Sequence, residues 1–204
     1  MSVITAQEVY AYLEGYGIDS KVISDTWIIA RVENFIVPQI KDWTELNFDG
    51  ILETTEYYSG TGSSIIILRK KPVEEILKIE LVTSAYGSQF NFQNIELIKA
   101  DGIIKARGIW EEQNNLYSIF PRGKNNIKIT YKYGFTDYPA LIKEAILYLT
   151  CDQVLMNLAN RTGGGSSSRN RNYGERGRYS DLRNDLARQA HSLLKPYMTG
   201  VIGT

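Results

Sequence analysis

Catalysis needs a nucleophile beside a base, a set of metal ligands or a cradle for phosphate, and this 204-residue chain holds few residues able to supply them. His191, the only histidine, falls on the polar face of a helical pattern with no partner near it in sequence. A surface histidine is the better reading of such a position. Cys151, the only cysteine, lies within an apolar helical stretch with no adjacent cation, which describes a buried, inert thiol. One histidine and one cysteine cannot make a typical zinc site. Gly60-Thr61-Gly62 is followed by a strand rather than by Gly-Lys-Ser/Thr and a helix, so it reads as a tight turn and not a phosphate loop. The carboxylates Glu53, Glu56, Glu74, Glu75, Glu111 and Glu112 flank strands and turns, where solvated edges are the expectation. No catalytic residue, metal site or cofactor is therefore predicted.

The arginines form the one functional patch. Residues 161–188 hold seven, Arg161, Arg169, Arg171, Arg176, Arg178, Arg183 and Arg188, against Glu175, Asp181 and Asp185. Tyr173 and Tyr179 interleave with them, a pattern seen in binders of nucleic-acid backbones. The whole chain balances, with 23 Lys+Arg against 23 Asp+Glu, which argues against a dedicated nucleic-acid binder. A solvated loop, docking onto an acidic protein and contact with DNA all remain open for the segment. With one cysteine, no signal peptide and no bilayer-length apolar run, a soluble protein made inside the cell is expected.

The elements that must carry these residues read as follows. Thr5 and Glu8 form a capping box with Ile4 and Val9 placed as a staple, so a helix starts there and ends near Gly15–Gly17. A second helix is predicted over 21–43, with Ile28, Val32, Phe35, Ile36, Ile40 and Trp43 as its stripe and Pro38 as a kink. Trp27, Ile29 and Val37 widen that stripe. From residue 53 to 133 the period becomes alternating, with strands predicted at 65–68, 76–82, 95–100, 103–107, 116–120 and 127–133. Asp101-Gly102 marks a type I′ hairpin. A third helix is predicted over 139–160, apolar on two faces, one of which includes Leu147 and Leu155. A Gly/Ser/Asn/Arg loop over 162–178 follows, then a fourth helix from Ser180 to the stop at Pro196. The fold class is α+β: a bundle of about four helices with a β-rich insertion between the second and third. The divisions are 1–52, 53–136, 137–196 and a tail at 197–204.

Two stretches carry a resemblance. In residues 127–149 a strand containing Tyr131-Lys-Tyr-Gly134-Phe135 runs through a polar turn and Pro139 into a long amphipathic helix. In residues 57–79, Tyr-Tyr-Ser-Gly-Thr-Gly leads into Ile65–Leu68, then Pro72-Val73, then a further strand. In this order and spacing the chain resembles the head-to-tail connector (adaptor) proteins of long-tailed bacteriophages. The resemblance implies a non-enzymatic virion protein, made in the bacterial cytoplasm, that forms a ring, usually a dodecamer, beneath the portal. Such a ring extends the channel for double-stranded DNA, without reading its sequence, and presents a surface to a stopper or tail-completion protein. No membrane partner is implied.

On that reading the arginine loop and the tail become docking candidates, named here as Arg169, Arg171, Arg176, Arg178, Tyr197, Val201 and Ile202. Protein docking is preferred over DNA contact, because a channel that grips DNA would hinder its passage. Trp27, Ile29, Val37, Leu147 and Leu155 are the subunit-interface candidates, as apolar positions beyond the needs of a single core face. Two other classes stand beside this one: a DNA-binding accessory protein of packaging, resting on the arginines, and a β-rich tail component binding a ligand through Trp110, Tyr86 and Phe90.

Overall fold

The computed structural model describes residues 3–82, 95–106, 120–162 and 172–198. They build an α+β protein of two compact units. Met1–Glu45 and Tyr138–Thr204 make the helical unit, while the intervening Leu46–Asp137 makes the β unit.

In the helical unit, α1 (Ala6–Glu14) opens on the predicted capping box. Glu8 N–H reaches Thr5 Oγ1 at 3.2 Å and Thr5 N–H reaches Glu8 Oε2 at 2.5 Å. Helix α2 (Asp25–Arg31) is capped by the Ser24 hydroxyl, and a π turn (Val32–Ile36) joins it to α3 (Val37–Thr44). The π turn lies directly before Pro38, which lacks an amide and whose ring would collide with the preceding turn of an α-helix. The Val37 amide bonds back to the Val32 carbonyl, five residues earlier, and the clash is relieved.

That extra residue rotates everything after it, and it corrects the predicted stripe. Val37 and Thr44 are buried, while Phe35 is exposed and Trp43 half-buried. Helix α4 (Ala140–Thr162) packs against α1, α2, the π turn and α5 (Asn172–Leu194). Its surplus of apolar residues is thus used within the chain: Ile142, Ala145, Ile146, Val154 and Leu155 are fully buried. Each of the Ile, Val and Leu side chains among these contributes about 1.5–3 kcal/mol over exposure. Helix α5 starts at Asn172, eight residues ahead of the predicted Ser180, so the predicted loop is shorter than 162–178. A 3₁₀ turn (Lys195–Tyr197) carries Pro196, where the helix stops.

The β unit holds β1 (Leu52–Gly60), β2 (Ile65–Ile67), β3 (Val73–Leu81), β4 (Ile95–Ile98), β5 (Ile103–Ala106) and β6 (Gly123–Tyr133). Two antiparallel sheets form among the described residues, ordered β1-β6-β3 and β2-β5-β4. Both contribute to one apolar cluster that includes Ile66, Leu68, Ile79, Ile104, Ile127 and Ile129. Strand β1 was not predicted, because its inner face is Thr54, Glu56 and Tyr58 rather than an aliphatic row. Of the strand predicted at 116–120 only Phe120 is described; it is buried and outside any strand. The β4–β5 turn spans Lys99 to Gly102, and Gly102 alone has positive φ, at 61°, so it is not the type I′ turn expected from Asp101-Gly102.

The chain enters and leaves the β unit side by side. Phe135 N–H bonds to the Asn47 carbonyl at 3.2 Å, and Phe48 stacks on Phe135 with centroids 5.5 Å apart. Between β6 and α4 stands Gly134 at φ 112°. A Cβ there would come within 2.6 Å of the Gly50 carbonyl oxygen, so only glycine fits.

Candidate docking surfaces

The residues that could have done chemistry are placed in structural roles. Cys151 is fully buried on α4, and burial pushes its thiol up to about 12, leaving little thiolate at neutral pH. His191 lies exposed on α5 with its ring 5.4 Å from that of Trp43. In Gly60-Thr61-Gly62 two of the amides are already used: Gly60 N–H bonds to Asn126 Oδ1 at 2.8 Å and Gly62 N–H to the Phe120 carbonyl at 3.0 Å. A Cβ on Gly60 would sit 1.8 Å from the Pro121 carbonyl oxygen, so this glycine is set by close approach. Glu74 pairs with Lys99 at 2.8 Å and Glu75 with Lys132 at 3.2 Å, both in solvent. No group of three or more metal-ligating side chains occurs among the described residues.

One polar cluster in the β unit escaped the sequence. Tyr131 and Tyr58 both donate their hydroxyl protons to Glu56 Oε2, the Tyr131 oxygen at 2.8 Å. Each phenol in turn accepts a backbone amide, Tyr58 from Arg69 at 3.0 Å and Tyr131 from Lys70 at 3.1 Å. The loop after β2 is pinned to β1 and β6 by this set. Burial first, and then the bond to Glu56, pushes the Tyr58 phenol up to about 12; burial also raises that of Tyr131. The alternation of β1 was the available signal, since it places Glu56 and Tyr58 on one face.

Of the docking candidates, Arg169, Arg171, Val201 and Ile202 lie outside the described residues, as do Trp110, Tyr86 and Phe90. Arg176 falls in the first turns of α5. Arg178 donates from Nη2 to the Tyr16 carbonyl and Arg161 from Nη1 to the Val22 carbonyl at 3.0 Å. Both arginines therefore anchor the flanks of the α4–α5 connection to the segment between α1 and α2, and Arg178 is not a free docking cation. Arg183 pairs with Asp152 at 2.7 Å. Tyr197 is half-buried in the 3₁₀ turn.

Among the interface candidates, Val37 is 8% exposed and Leu155 fully buried; the chain's own core covers them, which removes both from the set. Trp27, Ile29 and Leu147 are half-buried. Beside Trp27, the exposed Phe35 carries the Arg31 guanidinium 3.8 Å over its ring. Arg31 also bonds to Gln153 Oε1 at 2.6 Å, tying α2 to α4.

No known protein family matches the sequence, and no curated protein matches it. Among solved structures, a chain from the neck of an empty gene transfer agent (GTA) particle, computed with C6 symmetry, is 13% identical, with a TM-score of 0.47 over 89% of this chain and 83% of that one. A chain from the neck of the native GTA particle, computed with C12 symmetry, is 12% identical, with a TM-score of 0.44 over 98% of this chain and 95% of that one. Scores below 0.5 leave these as likenesses only. No described helix is long and apolar enough to cross a membrane.

Proposed function

We propose that this chain is a structural protein of a phage-like particle, a head-to-tail connector that forms a ring beneath the portal and offers an attachment surface to a stopper or tail. The observation that carries the reading is the junction from β6 through Gly134 and Pro139 into α4. There the connector-like motif Tyr131-x-x-Gly134-Phe135 forms a strand that ends in a turn only glycine can make and leads into the most enclosed helix of the bundle. The paired incoming and outgoing segments at Asn47 and Phe135 support a β unit carried as an insertion within the helical chain. No enzymatic activity is part of the proposal.

Docking to the portal is assigned to Arg169, Arg171 and Arg176 and to the tail with Tyr197, Val201 and Ile202. Subunit contacts are assigned to Trp27, Ile29 and Leu147, to which the exposed Phe35 is added. Tyrosine, tryptophan and arginine are the residue types favoured at protein interfaces.

The test is native mass measurement of the protein alone and mixed with the portal from the same particle, followed by removal of residues 197–204. A ring on the portal that is lost with the tail supports the proposal. A chain that stays monomeric with the portal and is absent from purified particles overturns it. Steeply salt-dependent binding to duplex DNA by the free chain would favour the DNA-binding alternative instead.

A further inference from the structure

The segment that joins α1 to α2 is pinned by side chains from three helices. Arg178 of α5 donates to the Tyr16 carbonyl, Arg161 of α4 to the Val22 carbonyl and the Tyr10 hydroxyl of α1 to the Ile23 carbonyl. Gly17, at φ 67°, turns the chain after α1. Against this fixed segment lies a cavity of about 380 Å³, lined by Tyr10 and Glu14 of α1 and by residues 17–21. Tyr10 and Glu14 stand one turn apart on the same face of the helix.

The lining offers acceptors that are not met from within the chain. The Glu14 carboxylate forms no hydrogen bond or ion pair with any described residue. Asp19 Oδ1 takes the Lys21 amide at 3.1 Å, and its second oxygen has no partner among the described residues. Ser20 is only 2% exposed, and its hydroxyl bonds to no described residue. A buried hydroxyl without a partner is uncommon and costs free energy. In the wall of a cavity, it is satisfied by what enters there. The last turn of α1 holds no basic residue, so the negative end of the helix dipole adds to the two carboxylates. Among the described lining residues Lys21 is the one cation, and it is exposed. Arg161 and Arg178 are engaged at carbonyls, and the Tyr10 hydroxyl at Ile23 and Asp25.

We propose that this cavity binds a guanidinium carried on an alkyl chain. A guanidinium is planar, permanently charged and weakly hydrated, and its five N–H donors can meet separate acceptors. Here those are the Glu14 carboxylate, the second Asp19 oxygen and the Ser20 hydroxyl. An ammonium has three donors and surrenders more hydration. The volume suits a small ligand, since sites for such molecules run from about 300 to 1,000 Å³. The connector reading does not use this cavity, so the failure of either leaves the other standing.

The probe is n-butylguanidinium, titrated into the full chain while backbone amide shifts are followed by NMR. Saturable shifts are expected at Asp19 and Ser20, with a dissociation constant of about a millimolar. Uncharged n-butylurea, of the same shape, should bind at least about tenfold more weakly. Glu14→Gln should weaken the cation by about tenfold, whereas Glu33→Gln, on the exposed side of the π turn, should not. Ser20→Ala should also weaken binding, yet leave the unliganded chain at least as stable in urea, because it removes a hydroxyl that had no partner. No saturable shift at about 20 mM, well above that constant, overturns the proposal. So does equal binding of n-butylurea, or unchanged binding by Glu14→Gln. The peptide acetyl-Gly-Arg-Gly-amide separates the sources. Binding of both probes supports an arginine side chain of a partner protein, and binding of n-butylguanidinium alone supports a free small molecule.

Discussion

Glu56 shows how a residue read as a solvated edge charge becomes structural through its neighbours. Its Oε2 receives two phenolic protons, and those same phenols hold the Arg69 and Lys70 amides. Tyr131→Phe would leave the Lys70 amide without its acceptor and take one donor from the carboxylate. The expected loss is about 1–3 kcal/mol of unfolding free energy, measured by urea denaturation. Asn126 is a similar case, 1% exposed, with Oδ1 on the Gly60 amide and Nδ2 donating to the Pro121 carbonyl at 2.8 Å. Cys151 makes the opposite point: its thiol is buried and held protonated, so it has no chemistry to offer. Iodoacetamide should label it orders of magnitude more slowly in the native chain than in urea. Rapid native labelling would contradict its placement.

At the scale of elements, the first helix is secured by its cap. The bonds from the Thr5 amide and hydroxyl hold the Glu8 carboxyl below its usual 4.5. A carboxyl whose folded pKa is depressed contributes stability that is present above its unfolded pKa and lost as the pH falls through the folded one. The benefit of the capping box should therefore fade as the pH drops below about 4.5. Thr5→Ala should cost about 0.5–2 kcal/mol at neutral pH, by thermal or urea unfolding. Between helices, Arg31 on α2 reaches Gln153, Gln153 Nε2 reaches Asp152 at 3.1 Å, and Asp152 meets Arg183 on α5. Asp152→Ala should cost about 1.5–3 kcal/mol, since the Asp152 side chain is only 13% exposed and Arg183 is left without its carboxylate. Adding Arg183→Ala should cost less than the sum of the two single changes.

For the molecule as a whole, alkaline pH tests both units at once. In the helical unit the Tyr10 hydroxyl lies 2.6 Å from the Ile23 carbonyl and 2.7 Å from Asp25 Oδ1. Burial, then the bond to Asp25, pushes it up to about 12; Tyr58 in the β unit is raised as far. A phenol whose folded pKa is raised contributes stability that is fully present below the unfolded value, near 10, and is lost as the pH rises toward the folded one, because the unfolded chain ionises first. Written as protons, the unfolded state then binds fewer than the folded one, so stability falls as the pH rises. Stability should hold to about pH 10 and decline between about 10 and 12. Far-ultraviolet circular dichroism of the α-helix and tyrosine absorbance should change together in that window. Full phenol titration with unchanged dichroism would mean that these hydroxyls are not held as described.

What the sequence determined by itself is what local rules govern. The capping box at Thr5 and Glu8, the alternation of β5 and β6, the Pro139 start of α4 and the Pro196 stop depend on residues a few positions apart, and each formed as read. The class α+β followed from the change of period near residue 53. Tertiary structure decided whatever depended on distant partners. Phe35 and Val37 exchanged places because the π turn before Pro38 shifted the helical phase by one residue. Leu155 went to the core because α4 is enclosed by α1, α2 and α5, an enclosure that apolar periodicity on one helix cannot distinguish from a subunit contact. Arg178 became an anchor because α5 begins earlier than its Ser180-Asp181 start signal and brings that side chain to the Tyr16 carbonyl.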